Sequence, residues 1–101
     1  MRLGVETQEY VIMSTSTIEW IITRSRGSEY VLRNVGRSRA TGVTADGAPF
    51  QDLARRLPEG AVIEAHASVS FTITSAYQID APRELRLKWD QQEGWINIPL
   101  P

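Results

Sequence analysis

Apolar and polar residues alternate with a period of two through most of the chain, the pattern of half-buried β-strands. Ile18, Trp20 and Ile22 alternate with Glu19, Ile21 and Thr23, which predicts a strand with a largely apolar second face. Ser25-Arg26-Gly27-Ser28 is turn-forming; beyond it Tyr30, Leu32 and Asn34 share one face, and Val31, Arg33 and Val35 the other. The two segments predict a hairpin. Gly36-Arg37-Ser38 predicts a loop, and Thr41 to Ala45 a short strand at a sheet edge, with Val43 its one sizeable apolar side chain.

Asp46-Gly47-Ala48-Pro49 breaks the alternation, and Gln51 to Leu57 has room for one helical turn before Pro58-Glu59-Gly60 turns the chain again. From Ala61 to Ser75 a single long extended stretch is expected. It keeps Ile63, Ala65, Ala67, Val69, Phe71 and Ile73 in phase, with Glu64, His66, Ser68 and Ser70 opposite. Leu85, Leu87 and Trp89 alternate with Glu84, Arg86 and Lys88 in the cleanest half-buried strand of the sequence. Asp90 to Gly94 connects it to a last strand in which Ile96, Ile98 and Leu100 share a face, a second hairpin. Residues 1–16 form an N-terminal extension in which Tyr10 to Met13 offers one added strand, and residues 17–101 form the domain. Six or seven strands with no helical period and no repeat fit an all-β, antiparallel two-sheet sandwich better than a barrel.

Length and composition narrow the function classes. At 101 residues the chain has room for one core, and 42% hydrophobic with 23% charged residues is the balance of a folded domain, not a disordered one. With no cysteine, disulfides, thiolate nucleophiles and Cys-ligated metals are excluded. A net charge of -1 gives no global attraction to nucleic acid or anionic membranes. The longest apolar runs, such as Tyr10-Val11-Ile12-Met13 and Trp20-Ile21-Ile22, fall far short of the roughly 20 residues of a membrane helix. Glu6, Gln8 and Glu9 interrupt anything resembling a signal-peptide core, so the sequence predicts a soluble protein with no membrane segment, cytoplasmic if the chain is complete as given.

Read in order, Tyr30-Val31-Leu32-Arg33-Asn34-Val35-Gly36, then Ala40 and Val43, give a hydrophobic-x-hydrophobic-x-Asn-x-Gly run followed by a small residue and x-x-Val. The run resembles the pattern of bacterial immunoglobulin-like adhesion and accessory domains of the CARDB type. The Pro58-Glu59-Gly60 turn before Val69-Ser70-Phe71, and the hairpin from Leu85 through Gly94 to Pro101, continue the likeness over residues 17 to 101. It implies an antiparallel immunoglobulin-like sandwich of about seven strands. It also implies that Asn34 and Gly36 shape the exit from their strand, one by local hydrogen bonding, the other by accepting a positive φ. Residues 46 to 60 and the N-terminal extension depart from the pattern, and the motif carries no functional residue.

Candidate chemistry is sparse. His66 is the only histidine, no Gly-x-Ser-x-Gly elbow accompanies it, and one histidine cannot supply a His-rich zinc site. Asp46, Asp52, Asp80 and Asp90 fall at turns, where hydrogen bonding to the local backbone explains them. Catalytic residues, metals and cofactors are therefore expected to be none.

Charge is more uneven. Arg24, Arg26, Arg33, Arg37 and Arg39 place five of the eleven basic residues within sixteen positions that hold one acid, Glu29. They form an anion site only if the two loops that carry them converge. Trp20 and Trp89 are in phase with core positions; Trp95 is out of phase with Ile96, Ile98 and Leu100 and so is a candidate binding anchor. The expected function is a non-enzymatic interaction module, contacting a protein partner or a second copy through a sheet edge or Trp95. Carbohydrate or polyanion (nucleic acid) binding is the alternative, and a small hydrolase dependent on His66 the third.

Overall fold

The computed structural model describes residues 17–74 and 82–101, so the expected extension at 1–16, its Tyr10–Met13 strand and Asp80 lie outside the described residues. Within them the chain forms eight short strands: β1 Trp20–Arg26, β2 Glu29–Asn34, β3 Ala40–Ala45, β4 Ala54–Arg55, β5 Ala61–Ile63, β6 Ser68–Ile73, β7 Glu84–Lys88 and β8 Ile96–Pro99. All pairings are antiparallel, and they build two four-stranded sheets of order β1-β2-β6-β4 and β5-β3-β7-β8. The inward faces meet in one core. Leu32, Tyr30 and Phe71 come from the first sheet, and Val43, Ile63, Leu85 and Leu87 from the second. Each large side chain buried there contributes roughly 1.5–3 kcal/mol.

Both predicted hairpins form. β1 turns into β2 at Gly27, whose φ of +54° suits glycine, and Trp20 pairs with Asn34, Ile22 with Leu32 and Arg24 with Tyr30. β7 pairs with β8 from Glu84–Pro99 to Leu87–Ile96. Leu85, Leu87 and Trp89 are buried while Glu84, Arg86 and Lys88 are exposed, as their alternation requires.

Three expectations are corrected. β3 is not an edge strand but lies between β5 and β7. Gly42, at a φ of +63°, shifts the register between Ala40 and Val43, so its buried residues are three apart and the strand looked less apolar than it is. The stretch from Ala61 is not one strand. Ala67 N–H donates to the Glu64 carbonyl at 3.0 Å and His66 takes a φ of +69°, a turn that carries the chain from the second sheet to the first. The alternation survives because Ile63 and Phe71 enter the same core from opposite sheets. In place of one helical turn over Gln51 to Leu57, Ala48–Leu53 makes short 3-10 turns separated by a kink at Gln51, whose φ is +56°, and buries Phe50.

Asn34 explains the exit from β2. Wholly buried, its side chain accepts from Gly36 N–H at 2.9 Å and donates to the carbonyls of Ser38 (2.8 Å) and Ile63 (3.3 Å). Local hydrogen bonding is thus as expected, but Gly36 is not among the residues with a positive φ. Its role is close approach: a Cβ at Gly36 would collide with the Thr17 carbonyl oxygen and lie 2.7 Å from Glu19 N. Glycine is needed there for room.

Candidate functional site

β1 forms one boundary of the first sheet, and among the described residues no strand pairs with its other side. Its hydrogen-bond phase follows from its neighbours. Val35 N–H donates to the Glu19 carbonyl at 2.8 Å, and Asn34 N–H turns the other way, to Ala67. In an antiparallel pair bonded and non-bonded positions alternate, so Ile21 and Thr23 bond to β2 while Trp20, Ile22 and Arg24 direct their N–H and C=O groups to the open edge. Ile21 stands on the outer face of this strand, 48% exposed.

The opposite strand on this side of the sandwich is β8, and its edge is different. Leu100 N–H donates to the Arg83 carbonyl at 2.8 Å, which puts Ile96 and Ile98 in bonding phase with β7 and leaves Asn97 and Pro99 facing outward. Pro99 has no N–H, so the β8 edge lacks a donor at that position. Between the two edges lies a cleft of about 330 Å³, lined by Trp20, Ile21 and Ile22 on one side and by Ile98 to Pro101 on the other. Trp20 meets Trp89 edge to face at 5.5 Å, and its indole N–H is buried with no acceptor among the described residues. Such an unsatisfied donor costs about 1–3 kcal/mol, which a carbonyl entering the cleft would offset.

Trp95 is 38% exposed but is not a bare platform. The Arg86 guanidinium lies 5.1 Å and the Lys88 ammonium 5.0 Å from its ring centroid, so the indole packs across the charged outer face of β7. The sequence separates the arginines into two groups, and the fold keeps them apart. Arg24 and Arg26 lie at the β1–β2 turn, Arg37 and Arg39 beyond the far end of β2, a strand whose six residues span roughly 20 Å. Arg24 Nε donates to the Gly27 carbonyl at 2.7 Å and its guanidinium lies over Tyr30. Arg39 pairs with Glu64 at 2.9 Å, both exposed. Arg33, on the outer face of β2, is exposed between the two groups.

His66 is exposed in the turn between β5 and β6, and its backbone N–H donates to the Asn34 carbonyl. Asp46 accepts from Ala48 N–H at 3.0 Å, the local turn bond expected of it. Asp90 accepts from Thr41 Oγ1 at 2.8 Å and sits against Gly42, tying the β3 bulge to the β7–β8 connection. Among the described residues no three His, Asp or Glu side chains group as metal ligands, and no helix is long and apolar enough to cross a membrane.

The β1 edge is the feature that sequence reasoning underweighted. Its signal was Ile21, which makes Trp20-Ile21-Ile22 apolar on both faces in a strand with only one face to bury. No protein-family model matches the chain, and neither the curated proteins nor the solved structures contain a match to it.

Proposed function

We propose that the chain is a non-enzymatic, immunoglobulin-like interaction module that binds by strand addition at the β1 edge. The observation that carries this reading is the β1 edge, unpaired among the described residues, where the backbone groups of Trp20, Ile22 and Arg24 face outward beside an apolar cleft. Added strands gain affinity from main-chain hydrogen bonds and specificity from pockets for alternate side chains, and this edge offers both.

The immunoglobulin-like reading draws support from strand order. In the constant-type arrangement the first, second, fifth and fourth strands share one sheet and the third, sixth and seventh the other. With β5 taken as an extra strand on the free side of β3, the two sheets follow that order. The CARDB-type likeness draws support from Asn34, whose buried side chain holds the exit from β2 by local hydrogen bonding.

The test is capture by the immobilised chain, comparing wild type with Ile21→Lys and Trp95→Ala. A lysine on an exposed edge obstructs strand pairing without disturbing the core. Strand addition predicts a partner that survives a high-salt wash on wild type and Trp95→Ala but is lost on Ile21→Lys. Loss on Trp95→Ala with retention on Ile21→Lys would sink the edge reading. A second reading, polyanion binding, is favoured by the shared patch of Trp95, Arg86 and Lys88. It predicts retention that disappears as salt rises.

A further inference from the structure

Asp46 is followed by Gly47, and no other aspartate or asparagine of the chain precedes a glycine. The turn they open folds the aspartate side chain back along its own main chain. Asp46 Oδ1 accepts from Ala48 N–H at 3.0 Å, and Oδ2 accepts from Arg86 Nη1 at 3.4 Å. The backbone is tied on either side: Asp46 N–H donates to the Arg86 carbonyl, and the Gly47 carbonyl accepts from Phe50 N–H. The Gly47 N–H between them has no partner among the described residues. A carboxyl group is thus folded toward a free amide whose residue has no side chain to obstruct it.

We infer that Asp46-Gly47 is a modification site, at which the backbone isomerises from aspartate to isoaspartate, and that the ion pair with Arg86 is the catch that slows it. The Gly47 nitrogen bonds to Asp46 Cγ; its proton and the carboxyl hydroxyl leave as water, closing a five-membered succinimide. Water then adds at the Asp46 main-chain carbonyl, the bond from that carbon to the nitrogen breaks, and the chain continues through the side-chain carbonyl. One water is released and one consumed. Cγ must turn to the nitrogen with its departing oxygen unheld, and Arg86 holds one of the two oxygens. Asp52 and Asp90 precede Leu53 and Gln91, whose side chains obstruct the same ring closure. The inference is independent of strand addition.

The product cannot keep the present loop. The chain gains one carbon between residue 46 and Gly47 and the carboxylate moves to Cα, so the bond from Ala48 N–H and the pair with Arg86 are both broken. Gly47 has little room to shift, since an added Cβ there would already lie 2.9 Å from Leu57 Cδ1, and buried Phe50 ties the far side of the segment to the core. Isomerisation therefore loosens the connection between β3 and β4 and lowers the urea midpoint of the aged chain.

The full chain is incubated, folded, at mildly acidic pH for several weeks as wild type, Gly47→Ala, Arg86→Ala and Lys88→Ala, with circular dichroism checking each fold. Isoaspartate is located by peptide mapping and counted by methyl transfer from S-adenosylmethionine with an isoaspartate-specific methyltransferase. Wild type accumulates it at residue 46 ahead of residues 52 and 90. Gly47→Ala, whose methyl needs only the end of the Leu57 side chain to turn aside, falls to the level of those two. Arg86→Ala accumulates it about two- to fivefold faster, the range an exposed ion pair supplies. Lys88→Ala removes a cation from Trp95 but leaves the pair, and matches wild type. In concentrated urea, where the pair is gone, Arg86→Ala matches wild type as well.

Folded wild type with no preference for residue 46 overturns the inference, and so does a Gly47→Ala chain that isomerises there as wild type does. An Arg86→Ala chain that is no faster, or is faster in urea too, overturns the part assigned to the ion pair.

Discussion

The two hairpins of this sandwich bury similar apolar stripes but finish their outer edges in opposite ways. In the N-terminal hairpin, β1 leaves a seven-residue edge with Trp20, Ile22 and Arg24 directing backbone groups outward. In the C-terminal hairpin, β8 is four residues long and puts Pro99 in the outward phase. The fastenings differ as well. The exit from the first hairpin is held from inside, by the buried Asn34 side chain, while the second is covered from outside by Trp95 lying against Arg86 and Lys88. A strand edge left unpaired is a hazard that folds usually blunt, and among the described residues one edge is blunted and the other is not. That contrast is the physical ground for assigning contact to β1.

The largest expected effect comes from the inside fastening. Asn34→Ala would strip partners from Gly36 N–H and from the Ser38 and Ile63 carbonyls, in a position with no access to water. Leaving buried groups unsatisfied should cost about 2–4 kcal/mol, read as a lower urea midpoint with an unchanged slope. Trp95→Ala, at the outside fastening, should cost only about 1 kcal/mol, because exposed cation–π contacts are weak. Equal losses at the two sites would mean that the hairpins are fastened alike.

These differences also mark how far the sequence was legible. The alternation of Leu85, Leu87 and Trp89 is local, so both the strand and its buried face were readable. β3 was not, because its bulge depends on Asp90 lying against Gly42, forty-eight positions away in the chain, and the phase shift hid Ala40 as a core residue. The break at His66 was hidden for another reason: the turn preserves the alternation, and periodicity is blind to a strand that changes sheet without changing phase. Trp95 was correctly out of phase, but its cationic cover comes from the neighbouring strand. The β1 edge lay between these cases. Ile21 signalled an exposed apolar residue, yet only the sheet order shows that no described strand covers that side.

The smallest effect probes the blunted edge directly. Pro99→Thr returns an N–H to the outward phase of β8 without altering the inward bonds, since Ile98 and Leu100, not Pro99, bond back toward β7 and Arg83. Stability should change by less than about 0.5 kcal/mol. Association is where the substitution should register. If proline is what keeps β8 from accepting a strand, the variant acquires a second usable edge, and sedimentation at high concentration should detect species larger than those of wild type. Combining Pro99→Thr with Ile21→Lys isolates the new edge: any association that remains then belongs to β8. If the combined variant stays monomeric, the short length of β8 suffices to protect it, and the contrast between the hairpins rests on strand length, not on proline.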